Sequence, residues 1–326
     1  MKTVSAKSIP LAVCLYSCVI SISLATQTGS QDAYTQAAFA FQQGQLDQAE
    51  QKLRSAIAGE PNRPDLLGLL GLVLDAKKEY EQAEPFHKHA LKLAPHSASL
   101  WNNFGNHYLA RGDEAHARSA FLQVLSIDAV HANANLQLAR IALSEKQGAE
   151  GLRYLDNLRP SDQSDTAVQL LRTRCLYLAG KADAAMRILD QLERGATADA
   201  RLAFSLGVLL AEWNKYDKAE AAFSRALEKD PANPEILHNL GLAALRAGDL
   251  ERAQRVFGIV LQQRPDDVEA NFDLGRVHAA KGDTETALVL LAKARRLAPG
   301  RPDLVLYLAR MYAEAGATCV EALLVT

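Results

Sequence analysis

Sulfur and aromatic side chains are scarce in this sequence. Only four cysteines occur in 326 residues, and Cys14 and Cys18 lie in an apolar stretch at the N-terminus. That excludes a disulfide framework and leaves Cys175 and Cys319 as the one further pair. Aromatic residues make up 6% of the chain while Ala and Leu abound, which argues for helices and against a β-sandwich. An excess of either charge is lacking too: 36 Lys plus Arg against 38 Asp plus Glu give a net charge of −2. The overall basic footprint of a nucleic-acid-binding protein is therefore absent. What is present suits a soluble folded protein, with 48% hydrophobic and 23% charged residues, enough for a packed core.

Motifs of chemistry are missing as well. The chain has no HExxH, GxSxG, P-loop or zinc-ligand spacing. His87 and His89 stand two apart on one helical stretch, so they point to different sides. His107 and His116 fall in different helical stretches. Lone helical histidines of this kind read as surface or packing residues, so no catalytic residue, metal or cofactor is expected.

One long apolar run exists, from Ile9 to Ala25, preceded by Lys2 and Lys7. Ser23-Leu24-Ala25 supplies small residues at the two positions a signal peptidase reads. Residues 1–25 therefore read as a cleaved export signal and 26–29 as a short linker. An uncleaved membrane anchor is the alternative, since a run of that length is just at the short edge of a spanning helix. A lipidated Cys18 is disfavoured because the apolar run continues past it. The expected location is periplasmic or extracellular.

From Ser30 the sequence repeats itself. Stepping by 34 from Gly105 meets Gly71 and Ala37 backwards, then Ala139, Thr173, Gly207, Gly241, Gly275 and Ala309 forwards. Ala117 lies in a second column of small residues: Ala49, Ala83, Gly151, Ala185, Ala219, Ala253 and Ala287. Proline recurs at 61, 95, 231, 265 and 299. The period holds through residues 30–301, giving eight repeats of 34. Each contains two amphipathic stretches of about a dozen residues. Gly44, Gly112, Gly180, Gly248, Gly282 and Gly316 share the register of the turn between them, where a helix end often needs positive φ. Asn214 fills that slot with the next best residue; Lys78 and Lys146 are exceptions. Ser97, Asp165, Asp199, Asn233 and Asp267 are placed to cap the helices that follow them. Arg111-Gly112-Asp113 belongs to the same turn, since Gly-Asp recurs at 248–249 and 282–283, and it is not read as an adhesion motif.

Trp101-Asn-Asn-Phe104-Gly105-Asn-His-Tyr108, followed by Ala117 and Phe121, resembles the tetratricopeptide pattern W-x₂-L-G-x₂-Y…A-x₃-F…P. Leu206-Gly207, Ala219 and Phe223 repeat part of it, as do Leu240-Gly241, Ala253 and Phe257, and Leu274-Gly275 with Ala287. The resemblance covers about five-sixths of the chain. It implies an all-α fold, a right-handed superhelical solenoid of helix–turn–helix repeats in one domain. No repeat can bury its apolar face alone, so stacking creates the core. Residues 302–326 begin a ninth repeat at Pro302 and then depart from the pattern. Either a short capping helix folds back there or the chain is incomplete. Cys175 and Cys319 fall four repeats apart, too far for a disulfide.

At 100° per residue, Trp101, Phe104, Gly105 and Tyr108 form the buried stripe of a first helix. The other side of that helix resembles the lining of this family's concave groove, where extended peptides usually bind. The candidate residues there are Asn102, Asn103, Asn106, Asn133, Gln137, Arg140, Arg174, Tyr177, Asn239 and Arg276. Amides can donate to and accept from a peptide backbone. Arg140 and Arg174 share one repeat position and suit carboxylates. The carboxylate clamp of chaperone-binding members is absent: aligned on Asn106, its later slots hold Gln137, Ala167 and Leu171. The asparagine ladder of members attached to glycosyltransferases is absent as well. The expectation is a non-enzymatic, exported scaffold that binds peptides or other proteins. The alternative is the recognition arm of an enzyme whose catalytic domain is not in this chain. A third reading is a homo-oligomer that buries the apolar C-terminal end. Oligomeric state is left open, and nucleic acid is not an expected partner.

Overall fold

The structure is a computed structural model that describes residues 30–195 and 199–314. The export signal, Gly316 and Cys319 lie outside the described residues. Among these there are helices and no strand. By contacts the chain divides into two compact bodies, residues 1–188 and 189–326, with the boundary inside a helix.

The first body holds the pairs α1 (Ser30–Gln42) and α2 (Leu46–Gly59), α3 (Pro64–Ala76) and α4 (Tyr80–Leu93), α5 (Ala98–Ala110) and α6 (Glu114–Ile127), and α7 (Ala132–Ser144) and α8 (Gly148–Asp156). A single turn, α9 (Pro160–Gln163), precedes α10 (Thr166–Leu178) and the start of α11 (Ala182–Gly195). In the second body α12 (Ala200–Glu212) pairs with α13 (Tyr216–Lys229), α14 (Pro234–Ala247) with α15 (Leu250–Gln263), and α16 (Val268–Ala280) with α17 (Thr284–Leu297); α18 (Pro302–Glu314) follows. Every first helix begins one sequence period after the previous one, from Ser30 to Pro302, and every second helix likewise from Leu46 to Thr284. The sequence period is the structural period, without slip.

Local chemistry sets these boundaries. Ser97, Asp165, Asp199, Asn233 and Asp267 all accept hydrogen bonds from the first N–H groups of the helices they precede, as expected. Asp113, Asp249 and Asp283 do the same for second helices. Arg-Gly-Asp at 111–113 is thus a helix end, a left-handed turn residue and a cap. Gly112 has φ of 78°, and its register mates Lys78 and Lys146 adopt 63° and 61° without being glycine. The one short second helix, α8, has nine residues where its counterparts have fourteen. Downstream, Arg159 is extended because Pro160 disfavours a helical conformation in the residue before it.

The seam follows one rule in five of the pairs. A glycine in the first helix (Gly71, Gly105, Gly207, Gly241 or Gly275) faces a bulky residue sixteen positions later in the second, while Ala37, Ala139 and Thr173 fill that column in the other repeats. A Cβ on Gly105 would come within 2.6 Å of the Phe121 ring, and the same holds for Gly207 against Phe223. Phe121, Phe223 and Phe257 are fully buried in consequence.

A second rule joins consecutive repeats. Trp101 Nε1, Asn135 Nδ2 and Asn271 Nδ2 each donate to the carbonyl six residues back, at 2.8, 3.0 and 3.0 Å. Gln169 does likewise to Gln163. These residues share the tryptophan column of the repeat, and each secures the turn that enters its helix. Ion pairs bridge neighbouring repeats on the surface: Lys77 with Glu50 at 2.7 Å, Arg111 with Glu84 at 2.5 Å and Lys281 with Glu251 at 2.7 Å. Arg118 and Glu145 occupy the Glu84 and Arg111 columns with the charges exchanged, and they still pair. Exposed pairs are worth about 0–1 kcal/mol each, so they favour register more than stability.

Candidate functional site

Eight sequence-predicted residues fall in the first body, on α5, α7 and α10. Four of these amides are joined to one arginine. Asn133 Nδ2 donates to Asn102 Oδ1 at 2.7 Å and to Asn106 Oδ1 at 3.3 Å. Gln137 Nε2 donates to Asn133 Oδ1 at 3.3 Å, and Arg140 Nη1 donates to Gln137 Oε1 at 3.3 Å. The direction of donation therefore runs from Arg140 through α7 and across to α5. The four-residue spacing of Asn102 with Asn106, and of Asn133 with Gln137, puts each pair on one helix face. The repeat period brings the two faces together.

Exposure divides the set. Asn102 is buried at 4%, because Asn133 and the network lie over it, so it supports the patch from beneath and does not stand on open surface. The equal angular treatment of all positions opposite the seam could not separate it from Asn103. Asn103, Asn106, Asn133 and Gln137 are half-buried and Arg140 is exposed. Among the described residues Asn103 engages no side-chain hydrogen bond. Arg174 and Tyr177 on α10 are half-buried, both with interactions of their own.

Asn239 and Arg276 belong to the second body, where each is held within its own helix. Asn239 Nδ2 donates to the Glu235 carbonyl at 2.9 Å, and Arg276 Nη1 donates to Asp273 Oδ1 at 2.7 Å. The Arg276 guanidinium also lies 5.7 Å from the Phe272 ring centre. Asp273, at a groove position by helical angle, is only 3% exposed. Its burial pushes the carboxyl above the ordinary value, against the opposing pull of Arg276 and His238.

Another cluster escaped the sequence reading. Asp75 on α3 accepts from His87 Nε2 on α4 at 2.8 Å and from His107 Nδ1 on α5 at 2.6 Å. Both histidines are 1% exposed. Reading them singly hid the cluster; reading down the columns of the repeat exposes it. Position 75 is otherwise Phe, Leu, Tyr or Ala; position 87 is otherwise Leu or Phe; position 107 is otherwise apolar throughout. Cys175 stands in that last column. It is free and buried, and burial pushes its thiol up to about 11.

The geometry defines an all-α protein of helix–turn–helix repeats in strict register, with a polar patch on its first helices. Tetratricopeptide repeat models match residues 40–104, 108–175 and 238–302, and a TPR repeat model matches 207–248. The chain belongs to the tetratricopeptide repeat family. It is 25% identical over 218 residues to tetratricopeptide repeat protein 5 of Bos taurus, which covers 59% of this chain and 48% of that protein. It is 26% identical over 211 residues to type IV pilus assembly protein PilF of Pseudomonas aeruginosa, covering 62% of this chain and 83% of that one. The chain spans about half the length of the tetratricopeptide repeat protein 5 relatives. A solved tetratricopeptide repeat protein from Parabacteroides merdae is 14% identical at a TM-score of 0.45, covering 86% of this chain and 98% of that one. Among the described residues no helix is long and apolar enough to cross a membrane.

Proposed function

We propose that this chain is an exported scaffold without catalytic activity of its own, which holds an extended segment of a partner protein against the first helices of repeats three and four. The observation that carries this reading is the bonded chain from Arg140 through Gln137 and Asn133 to Asn102 and Asn106. A patch whose side chains are already fixed loses less conformational freedom on binding than one of loose amides. Asn103 stands unengaged beside it and can both donate to and accept from a peptide backbone. The arginines at 140 and 174 suit a partner that carries carboxylates. Such a surface recognises backbone more than side chains, as an assembly factor for an envelope complex requires. The likeness to a pilus assembly protein supports that role.

The test is capture of partners from an envelope extract on the immobilised protein, compared with a triple variant, Asn103→Ala, Asn106→Ala and Arg140→Ala. Partner recovery should fall at least tenfold with the helical signal unchanged. Undiminished capture by the triple variant would remove the patch from the function. Export is tested separately by sequencing the N-terminus of the envelope form. It should begin at Thr26, and a chain beginning at Met1 would refute the cleaved signal.

A further inference from the structure

Three side chains break the apolar pattern of the repeat, and all three meet at one point. Asp75, His87 and His107 come from three helices and from two consecutive repeats. Each stands in a column that every other repeat fills with an apolar residue. His87 takes the place that Phe121 takes in the next repeat, with its ring packed on Gly71 as Phe121 packs on Gly105. Packing alone would be served by phenylalanine there and by valine or isoleucine at 107. Independent polar replacements in three columns would have no reason to converge.

Hydrogen bonding within the trio does not complete it. The Asp75 carboxylate accepts from both rings, which fixes their Asp-facing nitrogens as donors. His87 Nδ1 and His107 Nε2 are then left buried without a partner. A half-satisfied buried polar cluster is worse than an apolar core, so the arrangement needs another reason. Among the described residues the Asp75 carboxylate has no side-chain partner but these two imidazoles.

We propose that Asp75, His87 and His107 form a binding site for a divalent first-row transition-metal ion of the zinc class. One donor atom from each residue lies within 4.8 Å of the others. Two imidazoles and one carboxylate suit zinc, cobalt, nickel or copper; calcium and magnesium prefer all-oxygen shells. In the present arrangement the contacts are hydrogen bonds of 2.6 and 2.8 Å. Ligands of a tetrahedral ion with bonds of about 2.0–2.2 Å stand about 3.3–3.6 Å apart, so each hydrogen-bonded nitrogen and oxygen must part by no more than about 1 Å, within a cluster whose ligand atoms already lie within 4.8 Å of one another. The ion takes the place of the two protons now shared with the carboxylate. Each ring's proton moves to its outer nitrogen, and none is lost. Phe104, Tyr80 and Tyr108 surround the histidine rings, at centroid distances of 5.8, 6.2 and 5.4 Å, and form an apolar wall. The Asp75 side chain, 10% exposed, is the side open to solvent. Because the ligands come from repeats two and three, the ion would pin that junction, next to the amide patch that starts at Asn102.

The test uses the full chain, stripped with a chelator and titrated with Co(II) alone. One equivalent should bind with visible d–d absorption, Zn(II) should displace it, and Zn(II) should raise the melting temperature. His87→Phe and His107→Val restore the residue type of their columns, so both should fold, as far-UV circular dichroism would show. Each should weaken Co(II) binding by at least about 100-fold, beyond the 10–100-fold typical of losing an outer-shell partner. Absence of d–d absorption and of any melting shift at millimolar metal would overturn the proposal. So would parent-level binding by both variants, which would place the metal elsewhere.

Discussion

His87 lies across Gly71 with its ring atoms where a Cβ at 71 would come within 2.7 Å, which is how Phe121 lies across Gly105 two helices further on. One steric rule therefore governs an aromatic core residue and a polar one alike. In these pairs the first helix approaches its partner so closely that no side chain fits at the contact, whereas Ala37, Ala139 and Thr173 hold the same position in other repeats.

Gly105→Ala tests that rule. The added methyl would meet the Phe121 ring at 2.6 Å, and Phe121 is fully enclosed with no room to withdraw. Overpacking of this kind costs about 1–3 kcal/mol. Urea denaturation should show a loss in that range. A variant as stable as the parent would show that the pair can spread without penalty.

Lys78 and Lys146 adopt positive φ in exposed turns where the other repeats have glycine or asparagine. A side chain in that region costs about 1–2 kcal/mol, partly offset by the greater chain entropy that glycine gives the unfolded state. Lys78→Gly and Lys146→Gly should each raise stability by about 0.5–1 kcal/mol, whereas Lys78→Ala should give no gain. Equal denaturation midpoints for all three variants and the parent would contradict the strain.

How much of this was legible in the sequence depends on whether a property repeats. Helix starts recur with every repeat, and caps and turn glycines with many of them, so comparing columns placed them without slip. Even the Lys78 and Lys146 turns followed the register against their residue type. Asn102 shows the opposite case. Its helical angle points away from the seam, but its burial depends on Asn133 in the next repeat, a contact that no angular argument contains. His107 was legible only as a departure from its own column. Its partners stand in an earlier repeat and in the other helix of that repeat, at spacings that no short metal motif uses.

Asp273 supplies a pH test in the second body. Burial raises its carboxyl above the unfolded value, so its contribution is fully present below that unfolded value and is lost as pH rises through the folded one. Asp273→Asn removes this titration while keeping the shape. The stability of the variant relative to the parent should rise between pH 4 and pH 7.5, measured by denaturation midpoints at each pH. A difference independent of pH would mean that Arg276 and His238 hold the buried charge at no cost.

Asn271 tests whether the tryptophan column is a set of turn locks. It is 1% exposed, and its Nδ2 donates to the Pro265 carbonyl at 3.0 Å and to the Asp267 carbonyl at 2.8 Å. The Asp267 carbonyl keeps a backbone partner, the Asn271 N–H at 3.1 Å, whereas no other backbone bond replaces the one to Pro265. Lys293 Nζ also donates to the Pro265 carbonyl at 2.7 Å, so Asn271→Ala would leave that carbonyl to the lysine alone and should cost about 0.5–1.5 kcal/mol, the net worth of the lost bond. Asn271→Trp restores the residue of Trp101, whose Nε1 makes the same bond to the Pro95 carbonyl at 2.8 Å. If the column works by that bond and not by side-chain volume, tryptophan at 271 should recover most of the loss in urea denaturation, and leucine should recover little. Equal recovery by leucine would make the column a packing position, and the shared carbonyl geometry of Trp101, Asn135 and Asn271 would carry no stability of its own.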